Sequence, residues 1–141
     1  NHMINLLFWF DSMTAGSNQP TNYAIEKDET LRGNNSAVGG NWNTAMSYDG
    51  KKIHFIEGQK YTLKVIHDFD NNRDYVYLIC DKVDLDGVET DINGEIYLAT
   101  YPFRNADKPA RVLSIGIDNK ANVDFTLTHV KVYKSALPEQ A

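Results

Sequence analysis

The sequence is poor in cysteine, in basic runs, in long apolar runs and in helical periodicity, and each shortage closes off a class of protein. Cys80 is the single cysteine among 141 residues, so no internal disulfide can staple the chain. Its neighbours Leu78 and Ile79 mark a buried strand position, where a free thiol behaves as a small hydrophobe. A nucleophilic thiol needs a base partner, and the local sequence supplies none. Lys and Arg number 14 against 19 Asp and Glu, a formal net charge of -5 with no basic cluster. Such a surface repels phosphate backbones, so nucleic acid is not an expected partner. Apolar runs such as Leu6 to Phe10 fall far short of the roughly 20 residues a membrane-spanning helix needs. No stretch of about ten residues repeats apolar positions at i, i+3, i+4 and i+7, so no amphipathic helix is expected.

What remains is the composition of one folded domain: 42% hydrophobic and 23% charged residues, neither disordered nor fibrous. Asn1-His2-Met3 reads as an expression scar and is left out of fold reasoning. Residues 4–137 are expected to form a single domain, followed by a short tail at 138–141. The piece reads as a domain excised from a larger protein.

Extended segments separated by turn residues dominate. Ile4 to Asp11 is a short apolar strand candidate, with Trp9 as a packing residue. A Ser/Gly/Asn/Pro-rich turn follows, and Asn22 to Leu31 is a second extended stretch. Arg32 to Asn43 is rich in Gly and Asn and reads as a long loop ending at Trp42. Met46 to Tyr48 and Ile53 to Ile56 flank the turn Asp49-Gly50. Tyr61 to Phe69 alternates apolar and polar residues with the period of a strand. Asp70 to Arg73 is a hairpin turn, and Tyr75 to Cys80 is its antiparallel partner. Tyr75, Tyr77 and Ile79 line one face of that partner; Val76, Leu78 and Cys80 line the other. Apolar residues on both faces predict a sheet covered on both sides. Glu95 to Thr100, Val112 to Ile117 and Asp124 to Tyr133 complete the set, the last with a bulge near Thr128-His129. About eight short strands joined by Gly/Asn/Asp/Pro turns predict an all-β sandwich of two antiparallel sheets.

The run from Tyr61 to Asp68, the turn Asp70-Asn71-Asn72 and the run from Tyr75 to Ile79 resemble the central hairpin of concanavalin A-like and laminin G-like jelly-roll domains. Tyr101-Pro-Phe-Arg-Asn105, Leu113 to Ile117 and Phe125 through Tyr133 to Leu137 are similar to their closing strands. The pattern departs from that family where Ile79-Cys80-Asp81 replaces a Val-Asp-Gly turn. The resemblance implies a jelly-roll β-sandwich. It also implies a secreted or cell-surface setting, since bacterial versions serve as carbohydrate-binding modules attached to polysaccharide-processing enzymes. A structural calcium ion held by loop carboxylates is implied in the same way, with its ligands unassigned.

The residues themselves bear on three chemistries. Glycoside hydrolysis needs two carboxylates about 5–9.5 Å apart. Glu26 with Asp28, and Glu89 with Asp91, meet that spacing as strand neighbours, but they lie among polar residues and no Glu-x-Asp-x-Glu motif is present. They are expected at the solvated surface. Metal binding finds no signature. Asp68-Phe69-Asp70-Asn71-Asn72 lacks the Gly and Glu that an EF-hand loop requires after it. The spacing of His54, His67 and His129 fits no zinc site, and each is expected to be a half-exposed strand residue. Sugar binding combines aromatic faces for stacking with planar polar partners. Trp42, flanked by Asn41 and Asn43, with Tyr48, Tyr101, Arg104 and Asn105, supplies that mixture. The expectation is therefore a non-catalytic carbohydrate-binding module that holds a flanking catalytic domain near a polysaccharide. The alternative is a structural or adhesion-type domain, with an atypical glycoside hydrolase or lyase ranking third.

Overall fold

A computed structural model describes residues 4–11, 21–26, 28–33, 45–102 and 112–116, together with Thr128 and Lys131. Within these residues the chain is all β, with no helix. The strands are β1 (Ile4–Asp11), β2 (Thr21–Glu26), β3 (Leu31–Gly33), β4 (Ser47–Tyr48), β5 (Lys51–His54), β6 (Tyr61–Asp68), β7 (Arg73–Leu85), β8 (Val88–Pro102) and β9 (Val112–Gly116). They form two sheets. One has the order β3-β2-β1-β9; in the other, β7 pairs along one edge with β6 and, further on, with β5, which pairs in turn with β4, and along its other edge with β8. Every pairing is antiparallel. The expected strand at Asp124 to Tyr133 and most of the Gly/Asn loop with Trp42 lie outside the described residues.

Turn chemistry fixes the hairpins. Asp49-Gly50 and Asp86-Gly87 both hold positive φ at each residue, the left-handed backbone of a two-residue hairpin turn. Asp84 accepts the Gly87 N–H at 2.7 Å. At the β6–β7 turn, Asp68 accepts the backbone N–H groups of Asp70 and Asn71 and the Asn71 side-chain amide. Asp and Asn favour such turns without a metal, because their side chains bond the backbone just ahead of them.

The hairpin β7–β8 is longer than the sequence suggested. β7 continues five residues beyond Cys80 and β8 starts seven residues before Glu95. The register slips twice, between Val76 and Tyr77 and between Cys80 and Lys82. These bulges fit the 15 residues of β8 against the 13 of β7, and Asn93 takes a positive φ beside the second. The inward-facing set changes parity there, from Val76, Leu78 and Cys80 to Val83 and Leu85.

The core lies between the two sheets. Tyr23 and Leu31 from the first sheet meet Met46, Ile53, Val76, Leu78, Cys80, Val83, Leu85, Ile96 and Leu98. Removing each large aliphatic side chain from water contributes about 1.5–3 kcal/mol. The sheets are also joined by backbone along one edge. Met46 N–H donates to the Leu31 carbonyl at 2.8 Å and Phe55 N–H to the Glu29 carbonyl at 2.9 Å, and Thr30 bridges His54. Two antiparallel sheets around a shared core are consistent with a β-sandwich.

Candidate functional site

The second sheet has an inner face and an outer face, and they differ in kind. Val76, Leu78 and Cys80 point into the core, whereas Tyr75, Tyr77 and Ile79 point the other way. Cross-strand register brings Thr62, Lys64 and Ile66 of β6 alongside these three, and Glu95, Tyr97 and Thr100 of β8 on the opposite flank. The sequence predicted a second covered face. Instead Ile79 and Tyr97 are exposed, at 37% and 46% of their surface, and Tyr75 and Tyr77 are half-buried. Alternating apolar residues signalled a face correctly; large tyrosines can tile such a face while their hydroxyls stay wet.

The three tyrosines are organised by their neighbours. Tyr77 and Tyr97 meet edge to face, with ring centroids 5.5 Å apart and planes inclined by 60°. The Lys64 ammonium sits 4.6 Å from the Tyr77 ring centroid and pairs with Glu95 across β7. Tyr77 is thereby held by a cation on one side and a ring on the other. Tyr75, two positions along β7, stands about 7 Å away on the same face. Burial raises the Tyr97 phenol pKa, and the Tyr77 and Tyr75 phenols add to the rise, while Arg73 works against it. Arg73 is fixed at its inner nitrogen: Nε donates to Thr100 Oγ1 at 3.1 Å, and that hydroxyl donates to the Asp74 carbonyl at 2.8 Å. The face therefore offers aromatic rings, three phenolic hydroxyls and a positioned guanidinium on one strand-built surface. Sequence reading passed over Tyr75, Tyr77, Tyr97 and Arg73 as binding residues, because it placed the first two in a covered layer.

On the other side of the same sheet lies a buried polar cluster. Asp74, fully buried, accepts from the Tyr23 hydroxyl at 2.5 Å and lies 2.5 Å from His67 Nδ1. A carboxylate only accepts, so Nδ1 carries the shared proton. The cluster ties β2 of one sheet to β6 and β7 of the other. His67 is a partly exposed residue of β6, as the sequence led one to expect, at 18% exposure of its side chain, and it also belongs to this network.

The other candidates from the sequence fall in different places. Tyr48 packs half-buried against the core, as does Tyr101. Tyr101 meets Tyr23 edge to face at 5.9 Å and presses on the Gly33 backbone, where an added Cβ would come within 2.6 Å of its ring. Burial raises its phenol pKa, partly offset by the Gly33 backbone hydrogen bond. Tyr48 and Tyr101 are thus on the core side, apart from the tyrosine face. Trp42, Arg104 and Asn105 lie outside the described residues. Of the carboxylate pairs, Asp28 is tied to Thr30 and Arg32, with Arg32 Nη2 3.1 Å from it. Asp91 lies 3.8 Å from Lys82 Nζ, and Glu89 is exposed. Among the described residues no three His, Cys, Asp or Glu side chains are grouped to hold a metal ion.

Compared with known proteins, the chain matches no family model, no curated protein and no solved structure.

Proposed function

We propose that this chain is a non-catalytic carbohydrate-binding module on a jelly-roll, concanavalin A-like sandwich, acting at the cell surface or in secretion beside a polysaccharide-processing domain. The observation that carries the reading is the outward tyrosine face of β6, β7 and β8, where Tyr75, Tyr77 and Tyr97 reach solvent beside Arg73. Sugar CH faces stack on aromatic rings, and hydroxyls take hydrogen bonds from phenols and guanidinium groups. A shallow sheet face gives weak binding per site, and tethering converts it into raised local concentration for the attached enzyme. The strand and turn pattern from Tyr61 to Ile79 supports the jelly-roll assignment. It rests on residue pattern and on the two-sheet architecture.

The adhesion-type reading draws on the exposure of Ile79 beside Tyr97. The dense aromatic and hydrogen-bonding character of the face favours sugar over an apolar protein contact. The test is a glycan array followed by calorimetry on the hits. Wild-type protein binds at least one polysaccharide class, and Tyr97→Ala weakens it about tenfold or more, with the circular dichroism spectrum unchanged. An absence of binding at millimolar ligand would remove the reading.

A further inference from the structure

We infer that Arg73 makes the tyrosine face selective for glycans bearing carboxylates, a uronate-type ligand; the inference rests on the carbohydrate-binding reading above. The basic side chains of the three strands that build the face differ in their partners. Lys64 is paired with Glu95, and Lys82 lies 3.8 Å from Asp91. Arg73, half-buried, has Thr100 as its hydrogen-bond partner through Nε and no carboxylate partner among the described residues. Its two terminal nitrogens therefore keep their donors, while the Nε bond to Thr100 fixes the plane of the fork. A planar guanidinium anchored at one nitrogen is arranged to take a carboxylate bidentately at the other two.

Nearby acids do not occupy it. Asp68 is the register partner of Arg73, but its carboxylate turns into the hairpin, accepting from Asn71 and the backbone of Asp70. Those bonds, the Asn71 amide first, lower its pKa. Asp74 faces the core and is taken by Tyr23 and His67. Asp70 is exposed in the turn, where water and salt screen it over a Debye length of about 8 Å. Glu95 is paired with Lys64, and the other acids of β7 and β8, Asp81, Asp84, Glu89 and Asp91, gather toward the far hairpin, roughly 25–40 Å along the strand at about 3.3 Å per residue. Repulsion from that end is screened at physiological salt. Tyr75 lies two positions along β7 from Arg73 on the same face, about 7 Å away, so a pyranose laid on the tyrosine face at that end can bring its carboxylate to the fork.

The experiment uses matched polymers: polygalacturonate, hyaluronan and alginate oligosaccharides, each beside its carboxyl-reduced counterpart. Binding is measured by calorimetry at two salt concentrations. The acid form of at least one polymer binds about tenfold or more tightly than its reduced form, and the preference shrinks as salt rises. Arg73→Gln abolishes the preference, and Arg73→Lys restores only part of it, because a point charge cannot replace the fork. Lys82→Gln removes the same charge elsewhere on β7 and leaves the preference intact. Equal binding of acid and reduced forms, or a preference that survives Arg73→Gln, overturns the inference and leaves the carbohydrate-binding reading standing. No binding to either form of any polymer, with the array also blank, overturns both.

Discussion

Asp74 shows how single residues tie this protein together. A fully buried carboxylate is costly unless its oxygens are matched by donors, and here Tyr23 and His67 take one oxygen each. Tyr23→Phe removes one donor and leaves a buried carboxylate oxygen unpaired. Urea denaturation is expected to show a loss of about 1.5–3 kcal/mol; a loss below about 0.5 kcal/mol would contradict the role given to the hydroxyl. Two surface carboxylates contribute to sensitivity to acid. Asn71 and backbone N–H groups lower the Asp68 pKa. For Asp28, burial raises the value, but hydrogen bonds from Thr30 and the charge of Arg32 outweigh it. Both folded pKa values lie below the ordinary aspartate value. Their stabilisation is therefore present above that value and is lost as pH falls through the folded pKa. Melting temperature is expected to fall with acidification below about pH 4, and the double substitution Asp28→Asn with Asp68→Asn is expected to flatten that fall. An unchanged slope would show that other groups set the acid limit. The Tyr23 partnership was not legible in the sequence, since it forms only across the two sheets, whereas His67 and Asp74 face each other within the β6–β7 hairpin that the turn residues announced.

Among the elements, β3 depends on a glycine for close approach. Gly33 sits under the ring of Tyr101 at the far end of β8, and a Cβ there would overlap the ring at 2.6 Å. Gly33→Ala is expected to destabilise by about 1–3 kcal/mol, and combining it with Tyr101→Leu is expected to recover part of that loss. Simple additivity of the two substitutions would show that they do not meet. The hairpins were the most legible elements. Asp49-Gly50 and the Asn-rich turn before Arg73 announced themselves through turn residues, and the alternation from Tyr61 to Val65 gave β6. Asp86-Gly87 carries the same signal, yet the polar run Asp81-Lys82 between Cys80 and Val83 hid the continuity of β7. A bulge explains that break: it shifts parity, so a strict period of two cannot be followed through it. Asn22 to Leu31 read as one extended stretch, but Glu29 turns the chain with a positive φ, dividing it into β2 and β3.

At the scale of the whole molecule, the sequence carried the all-β character and the existence of two faces on β7, but not which face meets water. Tyrosine is ambiguous in this respect. It is apolar enough to be counted with Ile79 and Val76, and polar enough to remain at a surface. Burial depends on what lies over the face, and nothing in the local pattern encodes that. The sequence pattern therefore points to loops around Trp42 and Arg104, whereas the described residues offer a constellation built on strands, whose ladder holds it more rigidly than a loop would. The account's central claim is that glycans contact this strand-built face. The most direct measurement is a chemical-shift titration of isotope-labelled protein with a glycan drawn from the array. The predicted result is that the largest shifts fall on Lys64, Arg73, Tyr75, Tyr77 and Tyr97, with Leu78 and Val83 little changed. Shifts confined to other surfaces, with Tyr75, Tyr77 and Tyr97 unmoved at saturation, would contradict it.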